Sequence, residues 1–406
     1  MTGGWHKHVV LALLVSLLGT TGQAQDIAAL ERAAQNGDAE AAMTLSQAFH
    51  DGGDVVQNFA RAAELARIAA EAGLADAQNR LGQYHHEGLG VAQSRDLALQ
   101  WLGMAAEQGL PQHLFDYASV LEQSGDPQDQ RRAADLYDAA SAAGLIEASV
   151  SLGLLYQNGA GVPQDFERAR ALYEPAARAG LARAQNNLGL LYVRGSGVEQ
   201  NYGLAAELFA AAAQQGLATA KTNLGVMYEN GFGVPQDDAK AAQLYKEGGN
   251  AALDDQKELP PVIYDARLVP VQASNDTLLS LRQAAAQGDP VAEFQLAWLL
   301  ISAETPTFAM QREAANLFRR AADKGLPAAM ANLGLMFMHG LGVPQDYVLG
   351  QTWLTLAASQ GNAEARTLAI IGQRRMTAGQ INEAQERASA AWSPDKKQAI
   401  HDAAEE

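Results

Sequence analysis

Several residue types are scarce in this 406-residue chain, and each shortage excludes a class of protein. There is no cysteine, so disulfides, thiolate metal sites, iron–sulfur ligation and thiol nucleophiles are excluded. Lys and Arg number 29 against 46 Asp and Glu, which argues against nucleic-acid binding because that binding neutralises phosphates with basic side chains. Aromatic residues make up only 6% of the chain, although apolar residues reach 48%. Much of the apolar content is alanine, which favours closely packed helices over sheets.

Long apolar runs are also scarce, and the clearest one lies near the N-terminus. Residues 9–18 follow a short polar stretch with Lys7, and Gly22-Gln23-Ala24 offers a small-residue cleavage site. Ten helical residues rise about 15 Å, roughly half the hydrocarbon thickness of a bilayer, which argues against a retained anchor. We therefore expect residues 1–24 to be a signal peptide cut after Ala24, with no stable membrane insertion afterwards. The mature protein is then periplasmic or secreted.

The strongest pattern is a glycine that recurs at a nearly constant interval. The spacings are 36, 36, 35, 36, 36, 72, 37 and 36 residues, in the series Gly37, Gly73, Gly109, Gly144, Gly180, Gly216, Gly288, Gly325 and Gly361. Counting from Gly180 as position 0, Ala184, Leu188, Gly189 and Tyr192 stand at positions 4, 8, 9 and 12, one stripe of a helix. A glycine in mid-helix costs about 1 kcal/mol relative to alanine. Its recurrence at position 9 indicates that a second helix crosses there at close range.

A glycine-rich loop separates the two helices of each full copy. In Gly195-Ser196-Gly197-Val198 the glycines can take positive φ without a Cβ penalty and so end the first helix. The residues that stand where the second helix needs an N-cap are Asp165, Asn201, Asp237 and Asp346. Paired alanines at positions 32 and 33 allow close packing, and the next opening glycine ends the second helix.

The pattern A-x-x-x-L-G-x-x-Y-x-x-G-x-G-V followed by A-A-x-x-G resembles the Sel-one-like repeat (SLR), an α/α relative of the tetratricopeptide repeat. Five near-complete copies carry the resemblance, which spans about residues 26–392. It implies an all-α, right-handed α/α solenoid of about nine 36-residue helix pairs, because one pair cannot bury its apolar face alone. Copies that open at Gly37, Gly109 and Gly288 have different loops, and we expect altered turns there within the same fold. Residues 27–36 are expected to form one capping helix, and a capping box at Thr377–Gln380 begins the other.

The 72-residue interval contains an insert that interrupts the solenoid. Pro260, Pro261 and Pro270 forbid an ordinary first helix there. Two interpretations remain: a surface linker, or an extended arm that lies against the solenoid or is presented to a partner. The predicted organisation is a signal peptide (1–24), an N-terminal SLR block (25–249), a Pro-rich extended insert or linker (250–275), a C-terminal SLR block with its capping helix (276–392) and a polar tail (393–406).

Motifs for catalysis, cofactors or metals are not found. The sequence has no nucleophile elbow, phosphate-binding loop or dinucleotide fingerprint. His85-His86-Glu87 is not the H-E-x-x-H of zinc hydrolases, and His85 takes the tyrosine position of the repeat, so we expect a core or rim histidine. We predict no catalytic residue, cofactor or metal site.

Candidate partner-binding residues lie on the first helices, which line the long surface of a solenoid. Position 7 carries Asn187, Asn223 and Asn332. These amides either form a ladder that hydrogen-bonds an extended peptide, as related tetratricopeptide grooves do, or tie each helix to the backbone of a neighbouring repeat. Position 14 varies more, as a partner-facing position would, and adds Arg194 and Asn230 as candidates.

The function predicted from these features is an exported, non-catalytic scaffold for protein–protein interaction in the bacterial envelope. By resemblance, exported members of this repeat family act in envelope regulation and signalling complexes. The net charge of −17 predicts an envelope or secreted partner with a basic patch and salt-sensitive association. The alternatives are a glycan- or peptidoglycan-binding module, weakened by the few aromatics, and a β-lactam or cell-wall hydrolase like the disulfide-stapled branch of the family.

Overall fold

The computed structural model describes residues 27–52, 55–254 and 259–391, and the regular structure within these ranges is entirely helical. The predicted signal peptide, the polar tail and Trp392 lie outside the described residues. The helices are α1 (27–35), α2 (Ala39–Asp51), α3 (Phe59–Glu71), α4 (Ala75–Glu87), α5 (Arg95–Ala106), α6 (Pro111–Glu122), α7 (Pro127–Ala142), α8 (Ile146–Asn158), α9 (Phe166–Arg178), α10 (Ala182–Arg194), α11 (Tyr202–Gln214), α12 (Ala218–Asn230), α13 (Asp238–Asp254), α14 (Asn275–Ala286), α15 (Pro290–Ile301), α16 (Phe308–Asp323), α17 (Pro327–His339), α18 (Tyr347–Ser359), α19 (Ala363–Gln373) and α20 (Ala378–Ala391).

Successive helices pair as the repeat predicts. In most repeats the first helix packs against the second helix of its own repeat and against the second helix of the one before, as α10 does with α11 and α9. The predicted all-α repeat solenoid is therefore confirmed. Contacts group the described chain into two compact units: unit 1 contains α1–α4 and the chain from Leu259 onward, and unit 2 contains α5–α13. This division differs from the predicted blocks, because the first repeats share contacts with the C-terminal ones.

The glycine at position 9 lies under a bulky side chain of the second helix. A Cβ at Gly189 would lie 2.7 Å from the ring of Phe209, and Gly153 and Gly225 face Tyr173 and Tyr245 in the same way. The predicted close crossing of the two helices is confirmed. The contact comes from a ring at position 29 in these three repeats, a position that the sequence pattern did not single out.

The N-caps and the capping box predicted at helix ends are also confirmed. Asp165, Asn201 and Asp346 each accept a backbone N–H as the N-cap of a second helix. Thr377 and Gln380 form the reciprocal bonds of the predicted capping box. In the copies with divergent loops, α7 and α16 have 16 residues against 13 in α9, so the turn changes there and the helix pair is kept.

The insert differs in its bounds from the prediction. Helix α13 runs to Asp254, past the predicted start of the insert at residue 250. From residue 259 to 273 the chain has no helix or strand, and α14 begins at Asn275 in second-helix register. Residues 259–271, which we call the arm, lie against α15 and α17, as the bound-arm interpretation requires.

The second glycine of each loop sets the contact between neighbouring repeats. A Cβ at Gly197 would lie 2.5 Å from the carbonyl carbon of Phe166, the first residue of the preceding second helix. Four other loops repeat this close approach, at Gly90, Gly161, Gly233 and Gly342. A side chain has no room at this point, so the repeat spacing depends on glycine.

Within unit 1, the C-terminal helix packs on the first repeats. Ile381, Ala384 and Ala388 are the buried apolar residues of α20, which packs against α18 and reaches α3. Gln385 is 2% exposed; its Oε1 accepts the N–H of Phe59 at 2.8 Å, and its Nε2 donates to Gln57. Asn382 bonds in the same manner to the backbone of Gly90 and Gly88. These amides join residues more than 290 positions apart.

Replacing Gly197 by alanine should destabilise the protein more than the same change at Gly195. Both glycines have positive φ, +67° and +68°, but a Cβ at Gly195 meets Gln200 Cβ at 3.4 Å, an ordinary contact. Gly195→Ala should cost about 1–2 kcal/mol from the left-handed backbone alone. Gly197→Ala should cost about 1–3 kcal/mol more, because the methyl group overlaps the backbone of α9. Urea unfolding followed by circular dichroism measures both, and equal losses would contradict the steric role of Gly197.

Replacing Gln385 by alanine should lower stability, because the buried N–H of Phe59 loses its acceptor. We expect a loss of about 1–3 kcal/mol and faster amide hydrogen exchange at the start of α3. Glu386→Ala, an exposed change on the same helix, is the matched control. Equal thermal midpoints for the two variants would show that this contact adds nothing to stability.

Candidate functional site

The candidate residues fall in both units. Asn187 and Asn223 are half-buried on α10 and α12, where Arg194 and Asn230 are exposed at the helix ends. These four belong to unit 2, whereas Asn332 lies on α17 of unit 1. The predicted row of candidate residues is therefore divided between the two units.

In unit 2 the amides bind one another across repeats. Asn223 Nδ2 donates to Asn186 Oδ1 at 2.8 Å, and Asn186 Nδ2 lies 3.4 Å from Asn187 Oδ1. Asn223 thus ties α12 to α10, as the second interpretation of these residues supposed, but through a side chain and not the backbone. Asn186, at position 6, was missed because only the asparagines that recur at position 7 were counted.

Tyr173 continues this network into α9. Burial raises the pKa of Tyr173, and its hydrogen bond with Asn187 offsets part of that rise. The hydroxyl also donates to Gln157 Oε1 at 3.2 Å. A phenol with a raised pKa stays protonated at neutral pH, so these amides lie in an uncharged network.

In unit 1 the position 7 amide binds an extended peptide, and that peptide is the arm. Asn332 Oδ1 accepts the N–H of Ile263 at 2.8 Å, and Asn332 Nδ2 donates to the Ile263 carbonyl at 2.9 Å. Both halves of the amide therefore pair with one residue of extended backbone. Asn332 is 0% exposed because the arm covers it, so in this structure it bonds to backbone of the chain itself, which is closer to the second interpretation.

The neighbouring repeat contributes the equivalent residue, Gln295. Its Nε2 donates to the carbonyl of Val269 at 3.1 Å and lies 3.3 Å from the Tyr264 hydroxyl. The ring of Tyr264 packs edge-on against Trp298 at 4.8 Å. Gln295 stands at position 7 of the copy that opens at Gly288, so its register could have identified it. It was overlooked because only asparagines were considered.

The position 14 residues divide in the same way. His339 Nε2 lies 3.1 Å from the carbonyl of Pro260, so this residue also faces the arm. Asn230 Nδ2 donates to Val226 O of its own helix at 2.9 Å, and Arg194 remains exposed. Arg194 and Asn230 in unit 2 are exposed, whereas the arm lies against His339 in unit 1.

Other kinds of site are not found in the described part of the chain. There, no cluster of His, Asp or Glu side chains could hold a metal ion. His85 is half-buried at the end of α4, and its Nδ1 lies 3.3 Å from the Ala92 carbonyl, as expected of a rim histidine. None of the described helices combines the length and the apolar character that crossing a bilayer requires.

Comparison with known proteins identifies the repeat. The Sel1 repeat model matches well over half of the chain, at residues 39–74, 75–110, 114–145, 146–181, 182–217, 218–251, 309–326 and 327–362. The arm and the two helices that follow it, α14 and α15, fall in the gap between the sixth and seventh matches.

The individual relatives match this chain either over a short stretch or at low sequence identity. A chitin synthase regulator of Saccharomyces cerevisiae is 38% identical over 97 residues, which are 23% of this chain and 14% of the regulator. A protective antigen of uropathogenic Escherichia coli with an SLR fold is 26% identical, with a TM-score of 0.49 over 92% of this chain and 88% of the antigen. A Sel1 repeat protein from Oxalobacter formigenes is 28% identical, with a TM-score of 0.40 over 83% of this chain and 87% of its own.

The repeat matches and the observed helix pairs agree in register. Sel1 repeat proteins are generally scaffolds for protein–protein interaction. The eight matched segments, together with an all-helical solenoid across the described residues, establish that this chain belongs to the Sel1 repeat family.

Proposed function

We propose that the protein is a non-catalytic scaffold of the bacterial envelope, and that the first-helix face of unit 2 binds an extended segment of a partner protein. One observation carries this proposal: the same face in unit 1 holds an extended chain through the amides of Gln295 and Asn332. An amide side chain matches a peptide group because it offers one acceptor and one donor together. Unit 2 carries the same type of side chain at Asn187 and Asn223, and a bound segment would exchange its own backbone groups for their present bonds to Asn186 and Tyr173.

The side chains around these asparagines suit an extended peptide. Val226, at position 10, is 40% exposed, and Leu190 at the same position of α10 is partly exposed. In unit 1 this position carries Trp298, against which Tyr264 of the arm packs. Asn223 Oδ1 has no hydrogen-bond partner among the described residues. The face thus offers apolar contacts beside an available amide acceptor.

The charge of the chain supports a basic partner. A net charge of −17 attracts a positively charged protein over a distance of about 10 Å at 0.1 M salt. Such attraction raises the association rate more than it slows dissociation. A partner with a basic patch would therefore bind faster at low salt.

Removing both asparagines of unit 2 should weaken partner binding. Each lost hydrogen bond is worth about 0.5–1.5 kcal/mol, so Asn187→Ala with Asn223→Ala should reduce the affinity about tenfold or more. The first step is a pull-down from envelope extract with wild-type protein at low and high salt. The affinity of the partner recovered is then measured by calorimetry for wild type and variant.

The matched control is Asn316→Ala, an exposed change on α16, which should leave the affinity unchanged. Circular dichroism checks that the double variant stays folded. An unchanged affinity in the folded double variant would disprove the role of these amides. Retention on a polysaccharide gel, or hydrolysis of a chromogenic β-lactam, would contradict the scaffold proposal itself.

The envelope location is part of the proposal and rests on residues 1–24. Expression of the full chain in a Gram-negative host should yield protein in the periplasmic fraction, and N-terminal sequencing should start at Gln25. Replacing Ala24 by a bulky residue should block cleavage, because the processing site accepts small side chains. Full-length protein in the cytoplasm with an intact Met1 would contradict export.

A further inference from the structure

The arm crosses the first helices of two neighbouring repeats. It meets α17 through Pro260 and Ile263, whose backbone bonds to His339 and Asn332. It then reaches α15, where Gln295 binds the carbonyl of Val269. We call the surface formed by Gln295, Trp298, Asn332 and His339 the arm groove. Three of these four contacts are made to the backbone of the arm, so they do not depend on its side chains.

Two apolar side chains anchor the arm. Leu259 is 3% exposed and Ile263 is 7% exposed, and both belong to the apolar core of unit 1. Pro260 and Pro261 stand between them, and proline favours an extended polyproline conformation that has little entropy left to lose on binding. Val269, beyond these anchors, is 80% exposed. The recognised stretch is therefore short and lies in residues 259–264.

The stretch after the anchors forms a turn of its own. Asp265 accepts the N–H of Arg267 at 3.0 Å and its guanidinium at 2.7 Å. The Tyr264 hydroxyl donates to the carbonyl of Val269 at 2.8 Å. These bonds lie within the arm, so the turn is held largely by local contacts and the groove binds mainly the proline-containing stretch.

From this arrangement we infer that the arm groove is a recognition site for an extended, proline-containing apolar segment, and that the arm is its resident competitor. The partner segment carries an apolar residue, two prolines, one further residue, a second apolar residue and an aromatic ring, the order found in residues 259–264. Such a segment from another protein replaces the arm. This inference concerns unit 1 and does not depend on the function proposed for unit 2.

The pairing of the repeat helices does not itself use the arm. In unit 2, α8–α11 pair in the same register as α15–α18, and among the described residues no hydrogen bond joins an arm to their first helices. The arm joins α13 to α14 and forms no helix or strand itself, so its release breaks no regular element. A tethered segment competes at an effective concentration of about millimolar. A partner segment must therefore bind the free groove well enough to overcome that advantage.

The test uses a fluorescent peptide with the sequence of residues 259–271 and purified full-length protein. Ile263→Asp should release the arm, because a carboxylate is costly to bury among apolar side chains. We expect this variant to bind the peptide at least tenfold more tightly than wild type, because apparent affinity falls with the fraction of open groove. Adding Asn332→Ala to the variant should weaken binding about tenfold. A peptide whose isoleucine is replaced by aspartate is the control and should not bind.

Two results would overturn the inference. One is a folded Ile263→Asp protein that binds the peptide no better than wild type does. The other is equal binding of the peptide and its aspartate control. Both results count only if circular dichroism shows native helix content in the variant.

Amide hydrogen exchange on the wild-type protein tests the same inference even if the variant does not fold. Residues 259–264 should exchange at least tenfold faster than the middle of α17, because the arm opens without unfolding the repeats. Added peptide should increase this exchange as it displaces the arm. If the arm and α17 were equally protected, the arm would be a permanent part of the core, and the inference would be overturned.

Discussion

In the repeats with a full glycine loop, the contact between that loop and the preceding second helix sets how neighbouring repeats pack. At Gly197 the backbone approaches α9 so closely that a Cβ would lie 2.5 Å from a carbonyl carbon. Four further loops meet the preceding helix in the same way, so the offset between neighbouring repeats is nearly constant. A constant offset brings equivalent positions of successive first helices into register. The row of position 7 amides exists because of this contact and not because of any attraction among the amides.

The position 7 amides make different contacts in the two units. On α10 and α12 the amides bind one another and Tyr173, which ties repeats together. On α15 and α17 they bind the backbone of the arm. The chemistry is the same in both places, because a primary amide pairs equally well with another amide and with a peptide group. Whether the row is structural or receives a ligand thus depends on whether an extended chain lies beside it.

Much of the fold was predictable because its signals are local. The N-caps at Asp165 and Asn201, the capping box at Thr377 and the glycine at position 9 each act within a few residues or one helix pair. A glutamine at position 20, such as Gln200, also recurs and donates to the carbonyl seven residues before it; this signal was present in the sequence and was not used. The contact of Gln385 with Phe59 could not be found this way, since it joins residues 326 positions apart and no local pattern specifies it. The burial of Asn332 under the arm could not be predicted for a similar reason. The prolines of the arm exclude a helix, but they do not specify which residues the extended chain contacts.

Charge and contact act at different distances in this protein. The excess of acidic residues is spread over the chain, and a net charge acts on an approaching molecule before any contact forms. The first helices of unit 2 carry the exposed Arg183, Arg194 and Glu229, so charges of both signs lie on the candidate surface. The proposed partner therefore gains little from a single sign of charge in its contacts there. Its register must come from backbone and apolar groups, which is how the arm is held on α15 and α17. Salt should then change how fast a partner arrives far more than which segment it presents.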